Sequence, residues 1–278
     1  MKGRVLIVAG SDSGGGAGLQ ADIKTVTALG GYAATAVTAL TAQDTRSVHE
    51  VLGVAPGFVR RQMEVVLADI GADVIKLGML HDKAVMDVVC DVIRKSAGGV
   101  PVVTDPVMVA KGGARLLCDD AVSTLRERLI PLSTIVTPNI PEAEVITGMS
   151  IRDEPARRTA AERILALGAA AVLMKGGHVE GDRIMDLLVT RQGSEAFEHP
   201  RIHSAATHGT GCTLASAVAT GIAQGLALRD AVERAIDYVQ EAIRRAPGYG
   251  AGHGPLNHGH TLSSPFPAGG EDKSRGGS

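Results

Sequence analysis

The stretch "RVLIVAGSDSGGGAGLQADIKTVTALG", residues 4–30, decides the fold. Residues 4–10 form an apolar run containing Val and Ile, which predicts a strand buried on both faces. Glycines at 14, 15, 16 and 18 end that run in a loop. Residues 19–30 then take helical spacing. A strand, a glycine loop and a helix in that order open a parallel sheet.

The same alternation repeats outward. Strands are expected at 32–40, 73–78, 100–106, 133–139 and 170–177, and helices at 56–71, 83–95, 119–130 and 154–168. In the helix over 56–71, Phe58, Met63, Val66 and Leu67 are expected on one face. Asp119 or Asp120 is expected to cap the helix over 119–130. A strand pair over 182–193 and 196–202, turning at Gln192-Gly193, adds an antiparallel element. Helices near 210–224 and 228–245 follow. The reading is one α/β domain over residues 1–260, with a mostly parallel central sheet and helices on both faces. The end, "TLSSPFPAGGEDKSRGGS" (261–278), is small, polar and charged, a composition that predicts disorder.

Composition excludes several classes. A formal net charge of -2 gives no bulk basic field for nucleic acid or an anionic membrane. Aromatics are 2% and Trp is absent, so no base-stacking platform is expected. No apolar run is long enough to span a bilayer. Three cysteines, Cys90, Cys118 and Cys212, stand far apart without a CxxC, which argues against a zinc site or a disulfide framework. The expectation is a cytoplasmic protein with reduced thiols.

Ligands of open parallel sheets sit beyond the carboxyl ends of the strands, so the loops after strands carry the chemistry. "SDSGGGAG" (11–18) lets the backbone approach a ligand, and the helix start behind it can face an anion; a plain strand–helix connection explains it equally well. It is not GxGxxG, because position 19 is Leu, and no Gly-Lys dipeptide exists for a Walker A loop. "THGTGC" (207–212) puts the amides of Gly209, Thr210, Gly211 and Cys212 at a helix N-terminus, an anion hole suited to a transferring phosphoryl group. The same field is expected to lower the pKa of the Cys212 thiol and make it a base; the alternative is a glycine cap with a packing Cys. Lys175 in "MKGGH" can hold a phosphate. Asn139 and Glu142 in "TPNIPEAE" suit metal–water–phosphate contacts, although a turn capping a helix explains Asn139 alone. Asp105 in "TDP" is a second metal-side carboxylate or a turn former.

Taken together, "AGSDSGGGAGLQADIKT", "TALTAQDT", "KLGML", "DPVMVAKGG", "TPNIPEAE", "LMKGGH", "THGTGCTLASA" and "GAGHGPLNH" resemble the hydroxymethylpyrimidine/phosphomethylpyrimidine kinases of thiamine biosynthesis, a branch of the ribokinase-like superfamily. The blocks run in order from residue 9 to 258. The resemblance implies a three-layer α/β/α sandwich, a homodimer, and use of ATP and Mg²⁺. It implies that Gly10, Asp22, Gln43 and Met79 line a pyrimidine pocket, with Val107 packing on the ring. Asn139, Glu142, Lys175 and Thr210 would serve the nucleotide, with Glu142 and Asp105 meeting the metal largely through water. Gly209, Gly211, Lys175 and Cys212 would be catalytic, Cys212 standing where most sugar kinases of the superfamily place an Asp base. The implied reaction phosphorylates 4-amino-5-hydroxymethyl-2-methylpyrimidine and then its monophosphate. A pyridoxal kinase is the nearest alternative, and Gln43 favours the pyrimidine. A non-catalytic nucleotide-binding module is disfavoured by the intact Asp22, Glu142, Lys175 and Cys212.

Overall fold

The computed structural model of the chain describes residues 1–108, 119–177 and 181–262. Strand β1 (Arg4–Asp12) forms from the opening apolar run, and Val5–Val8 are fully buried. Side chains alternate along a strand, so these four residues divide between two cores. Leu6 and Val8 join Met63, Ile75 and Val89 on one face. Val5 and Ile7 join Val26, Leu214 and Val218 on the other. Both faces are covered, which is the condition for a parallel sheet.

β1 lies between β2 (Tyr32–Gln43) and β4 (Val74–Leu77) and is parallel to both. From β4 the sheet continues in parallel through β5 (Val102–Thr104), β6 (Ile135–Val136) and β7 (Ala171–Met174). It ends in an antiparallel pair, β8 (Arg183–Thr190) and β9 (Gly193–Pro200). β3 (Val48–Gly53) runs antiparallel to β2 and forms the opposite edge. Helices α2 (Pro56–Asp69), α3 (Lys83–Ser96), α4 (Asp119–Thr124), α5 (Ile140–Thr147) and α6 (Glu154–Ala166) pack on the first face. Helices α1 (Gly18–Ala28), α7 (Thr210–Ala223) and α8 (Leu228–Arg244) pack on the second. The three layers expected from the sequence are present. Among the described residues no helix is long and apolar enough to cross a membrane.

The structure differs from expectation in four places. β3 was not anticipated, because its side chains are mostly exposed and give no core signal. α5 is absent from the expected elements except as the helix that Asn139 would cap, because it is short and begins at Ile140-Pro141. The helix expected over 119–130 ends at Thr124 and continues as a π-turn, Leu125–Leu129, and a 3₁₀ turn, Ile130–Leu132; Pro131 has no N–H to extend an α-helix. On α2 the buried residues are Val59 and Met63, while Phe58 is exposed. Phe58 lies five residues before Met63, about 140° round the helix. Residues 109–113 of the "DPVMVAKGG" motif, Cys118, His178 and the tail beyond 262 lie outside the described residues.

The chain leaves β1 toward β2 on one side and returns as β4 on the other. Neighbouring loops therefore diverge at the carboxyl ends of these strands and open a crevice. Truncating either face of β1 tests the two cores: Leu6→Ala and Ile7→Ala are each expected to cost roughly 2–5 kcal/mol of unfolding free energy, read from urea denaturation midpoints.

Candidate active site

A cleft of about 650 Å³ occupies this crevice. It is lined by the ends of β1, β4, β5 and β7, by Asn139 at the head of α5, and by residues 207–212 at the head of α7. Of the residues singled out in the sequence, Gly10, Gln43, Met79, Asp105, Val107, Asn139, Glu142, Lys175, Gly209, Thr210, Gly211 and Cys212 all border it. Asp22 does not.

At one end, α7 begins without a side-chain cap. Gly209 takes φ +81°, and a Cβ there would lie 1.9 Å from the carbonyl oxygen of Gly16. No other residue fits. Because first-turn amides lack helical partners, the turn offers its N–H groups and the positive end of the helix dipole to the cleft. Lys175 Nζ sits 2.9 Å from Asp105 Oδ1 and 3.8 Å from Glu142 Oε2. A Cβ on Gly211 would come within 3.2 Å of that ammonium, so the cation lies directly beneath the helix mouth. Burial would lower the Lys175 pKa, but Asp105 and Glu142 outweigh it and raise it above the ordinary value.

Asn139 and Glu142 form a capping box on α5. Asn139 Oδ1 accepts from the Glu142 N–H, and the Asn139 N–H donates to Glu142 Oε2, both at 2.8 Å. The capping reading of Asn139 is therefore correct, and its amide oxygen is committed to the helix. Burial pushes the Glu142 carboxyl up to about 7, against the pull of Lys175. Among the described residues no group of three His, Cys, Asp or Glu forms a metal cage. The two carboxylates present suit a hard cation that keeps most of its waters. A carboxyl poised near neutrality by burial is one that a nearby cation would hold ionised, so the donor set fits Mg²⁺ in outer-shell form.

At the other end, Gly10 lies against the methyl of Met79, which a Cβ would approach to 2.6 Å. Thr38 Oγ1 donates to the Met79 carbonyl at 2.7 Å and fixes that turn. Gln43 reaches the cleft from the end of β2, its side chain 3.1 Å from Thr41 Oγ1 and 3.3 Å from His208 Nε2.

Three corrections follow. Asp22 is fully buried beneath the floor, where Lys76 Nζ donates to it at 2.7 Å and Ser216 Oγ at 2.7 Å. It reaches the cleft only through Lys76, which borders it. The expected lowering of the Cys212 thiol is not found. It is half-buried at the edge of the cleft, and burial pushes it up to about 12; Lys76 pulls it down, while Asp22 and Asp105 push it further up. The glycine loop after β1 is not a free anion site. Its amides at Gly14, Gly16 and Ala17 already donate to the Asp12 carboxylate at 2.8, 3.1 and 2.8 Å.

Asp12, Lys76 and His208 are the residues that sequence reasoning missed. For Lys76 a signal existed: a lysine in the middle of "VIKL", a strand otherwise apolar, must be paired when buried. His208 stood inside a motif already noted, and its bond to Asp12 spans 196 positions.

Comparison with known proteins assigns the chain. The family model for phosphomethylpyrimidine kinase matches residues 12–257. The chain belongs to the phosphomethylpyrimidine kinase family. It is 46% identical over 258 residues to the hydroxymethylpyrimidine/phosphomethylpyrimidine kinase of Bacillus subtilis, covering 92% of this chain and 94% of that one. It is 53% identical over 257 residues to the thiamine biosynthesis bifunctional protein ThiED of Geobacter sulfurreducens, covering 92% of this chain but 52% of that protein. The chain thus spans about half the length of the bifunctional relative. Among solved structures, an ADP complex of Bacillus subtilis pyridoxal kinase superposes with a TM-score of 0.86 at 33% identity, covering 93% of this chain and 98% of that one.

The raised Glu142 carboxyl has a measurable consequence. Between its ordinary value of 4.5 and about 7, the folded protein binds more protons than the unfolded chain, so stability falls as pH rises. Glu142→Gln keeps a capping amide at that position and removes the titration. Urea unfolding at pH 5 and pH 8 is expected to show wild type losing stability relative to Glu142→Gln at the higher pH. A difference independent of pH would place the carboxyl at its ordinary value.

Proposed function

We propose that the chain transfers the γ-phosphoryl group of ATP to the hydroxymethyl oxygen of 4-amino-5-hydroxymethyl-2-methylpyrimidine, and then transfers a second to the resulting monophosphate, as a step of thiamine biosynthesis. One observation carries this reading. A ring-sized end bounded by Gly10, Gln43, Met79 and Val107 opens into the same cleft as the uncapped head of α7 and Lys175. The names of the relatives agree with it.

The chain's own groups divide the work. Gln43 offers an amide donor and acceptor to an aminopyrimidine edge, while Met79 and Val107 confine the ring. The amides of Gly209–Cys212 receive charge on the transferring phosphoryl group, and Lys175 neutralises it from the other side. Asn139, Glu142 and Thr210 border the nucleotide phosphates, with Glu142 and Asp105 placed to hold Mg²⁺ through its waters. When bound, the ion neutralises phosphate charge. The apolar wall of Ile236, Val239 and Ile243 suits the nucleotide base. Phosphoryl transfer is largely positioning and electrostatics, which is compatible with a thiol that stays protonated. We therefore assign Cys212 to closing the acceptor end rather than to abstracting the proton, which passes from the hydroxyl to an oxygen of the transferred phosphoryl group as ADP leaves. Residues 1–260 act as a single domain in this reading. The exposed Leu40–Leu52 pair on the β2–β3 ribbon suits a homodimer contact, tested by light scattering. The setting we propose is the cytoplasm, where the free thiols Cys90 and Cys212 stay reduced.

Pyridoxal kinase is the second reading, favoured by the superposition on the Bacillus subtilis enzyme. ATP consumption measured side by side with the pyrimidine, its monophosphate and pyridoxal separates the two. Turnover of pyridoxal alone would overturn the first reading.

Two variants probe the division of labour. Lys175→Ala is expected to slow both phosphorylation steps, because both use the same nucleotide end; loss of only one step would remove Lys175 from it. Cys212→Ala leaves the backbone amides in place. In single-turnover assays it is expected to lose less, on either acceptor, than the roughly 10²–10⁴-fold that a general base contributes. A loss of that size confined to the alcohol would restore the thiol as the base.

A further inference from the structure

His208 and Gln43 meet in a way that only one proton arrangement allows. His208 Nε2 lies 2.9 Å from Asp12 Oδ2 and 3.3 Å from Gln43 Nε2. An ionised carboxylate only accepts hydrogen bonds, so Nε2 must carry a proton. Burial would raise the Asp12 carboxyl, but the bonds from His208, Ala17 and Gly14 outweigh it and hold it below its ordinary value. An Nε2–H facing an amide NH₂ sets two donors against each other. The oxygen and nitrogen of a glutamine amide are distinguished by their hydrogen-bond network, and here the network demands the opposite orientation. With the amide turned over, Gln43 Oε1 faces the His208 Nε2–H and shares its one proton with Asp12 Oδ2, the nearer acceptor. Gln43 Nε2 then lies at the position 3.1 Å from Thr41 Oγ1. That hydroxyl donates its own proton to the Ser11 carbonyl at 3.0 Å and is free to accept. No two donors now face each other.

We propose that His208, held as its Nε2–H form by Asp12, is a positioning residue that fixes the Gln43 amide with its oxygen toward the imidazole and its NH₂ toward Thr41. The ring packs against Gly16, where a Cβ would come within 2.5 Å of His208 Cδ2, so only a residue without a side chain leaves room for it. The fixed amide keeps one N–H and one lone pair for the cleft. A ring edge with an acceptor nitrogen beside an amino donor pairs with them in one orientation only. The reversed amide would bind the ring turned over and carry its hydroxymethyl group away from the head of α7. His208 thus governs which way the acceptor faces without needing to touch it. This rests on the assignment of Gln43 to the ring pocket made under the proposed function.

The test is a double-mutant cycle on the full chain with His208→Leu, Gln43→Leu and the pair, reading kcat/KM for the hydroxymethylpyrimidine and KM for ATP. Each single variant is expected to lower kcat/KM about tenfold or more, the size of a lost hydrogen bond. In the Gln43→Leu background, His208→Leu is expected to add less than about twofold, with KM for ATP unchanged. Losses that multiply, or that fall on ATP, would overturn the proposal, because a merely structural role of His208 does not depend on residue 43. A second measurement needs neither a variant nor substrate. The ring ¹⁵N shifts of His208 are expected to show a protonated Nε2, and the Gln43 NH₂ protons to give NOEs to Thr41 rather than to the imidazole. A bare Nε2, or NOEs to the imidazole, would overturn the proposal even if the chain phosphorylates the pyrimidine. A wild type inactive on the pyrimidine while these signals hold would fault the proposed function and leave the amide geometry standing.

Discussion

A buried lysine organises this molecule. Lys76 lies in the middle of β4 with no exposed surface, and a buried charge is tolerated only when paired and hydrogen-bonded. Burial alone would strip its proton. The charges of Asp22 and Asp105 and the hydrogen bond to Asp22 outweigh that and keep the ammonium. Asp22 comes from α1 and is itself held by Ser216 of α7. One ion pair therefore ties the central sheet to the two helices that enclose the cleft. Ser216 is one helical turn beyond Cys212, so the same contact sets where the head of α7 stands over the site.

That placement gives the two glycine loops different chemistry. Each follows the pattern of a small-residue turn before a helix. The loop after β1 supplies its own anion, because Asp12 folds back and takes the amides of Gly14, Gly16 and Ala17. The loop before α7 has no such residue and no side-chain cap. Only the second leaves helix-end amides for a phosphoryl group. The first serves instead as a rigid shelf, pressed against Gly209 and His208, so the occupied loop shapes the vacant one.

The residues beneath the cleft also explain why a thiol at the mouth of a helix is pushed up rather than down. A helix N-terminus and a nearby lysine favour a thiolate. Here the lysine is offset by Asp22, Asp105 adds a second negative charge, and burial disfavours the thiolate. Desolvation wins over the dipole even though Cys212 stands in the first turn of α7.

The sequence by itself determined the layers and most of the cleft's border. Apolar runs of strand length and amphipathic helical spacing are local properties, readable within a dozen residues, whereas the order of the strands in the sheet was decided by tertiary pairing. Residues that end strands, such as Lys175 and Asp105, were legible for the same reason, since ligands gather at carboxyl ends. Short or exposed elements such as β3 and α5 were not, because they carry little core signal. Tertiary structure alone decided how the charges pair. Asp12 and Asp22 sit ten positions apart in one glycine-rich unit and look interchangeable in the sequence. One is claimed by His208, 196 residues away, and the other by Lys76, 54 residues away. Electrostatics depends on distance in space and on the water removed between groups, and neither quantity is written along the chain.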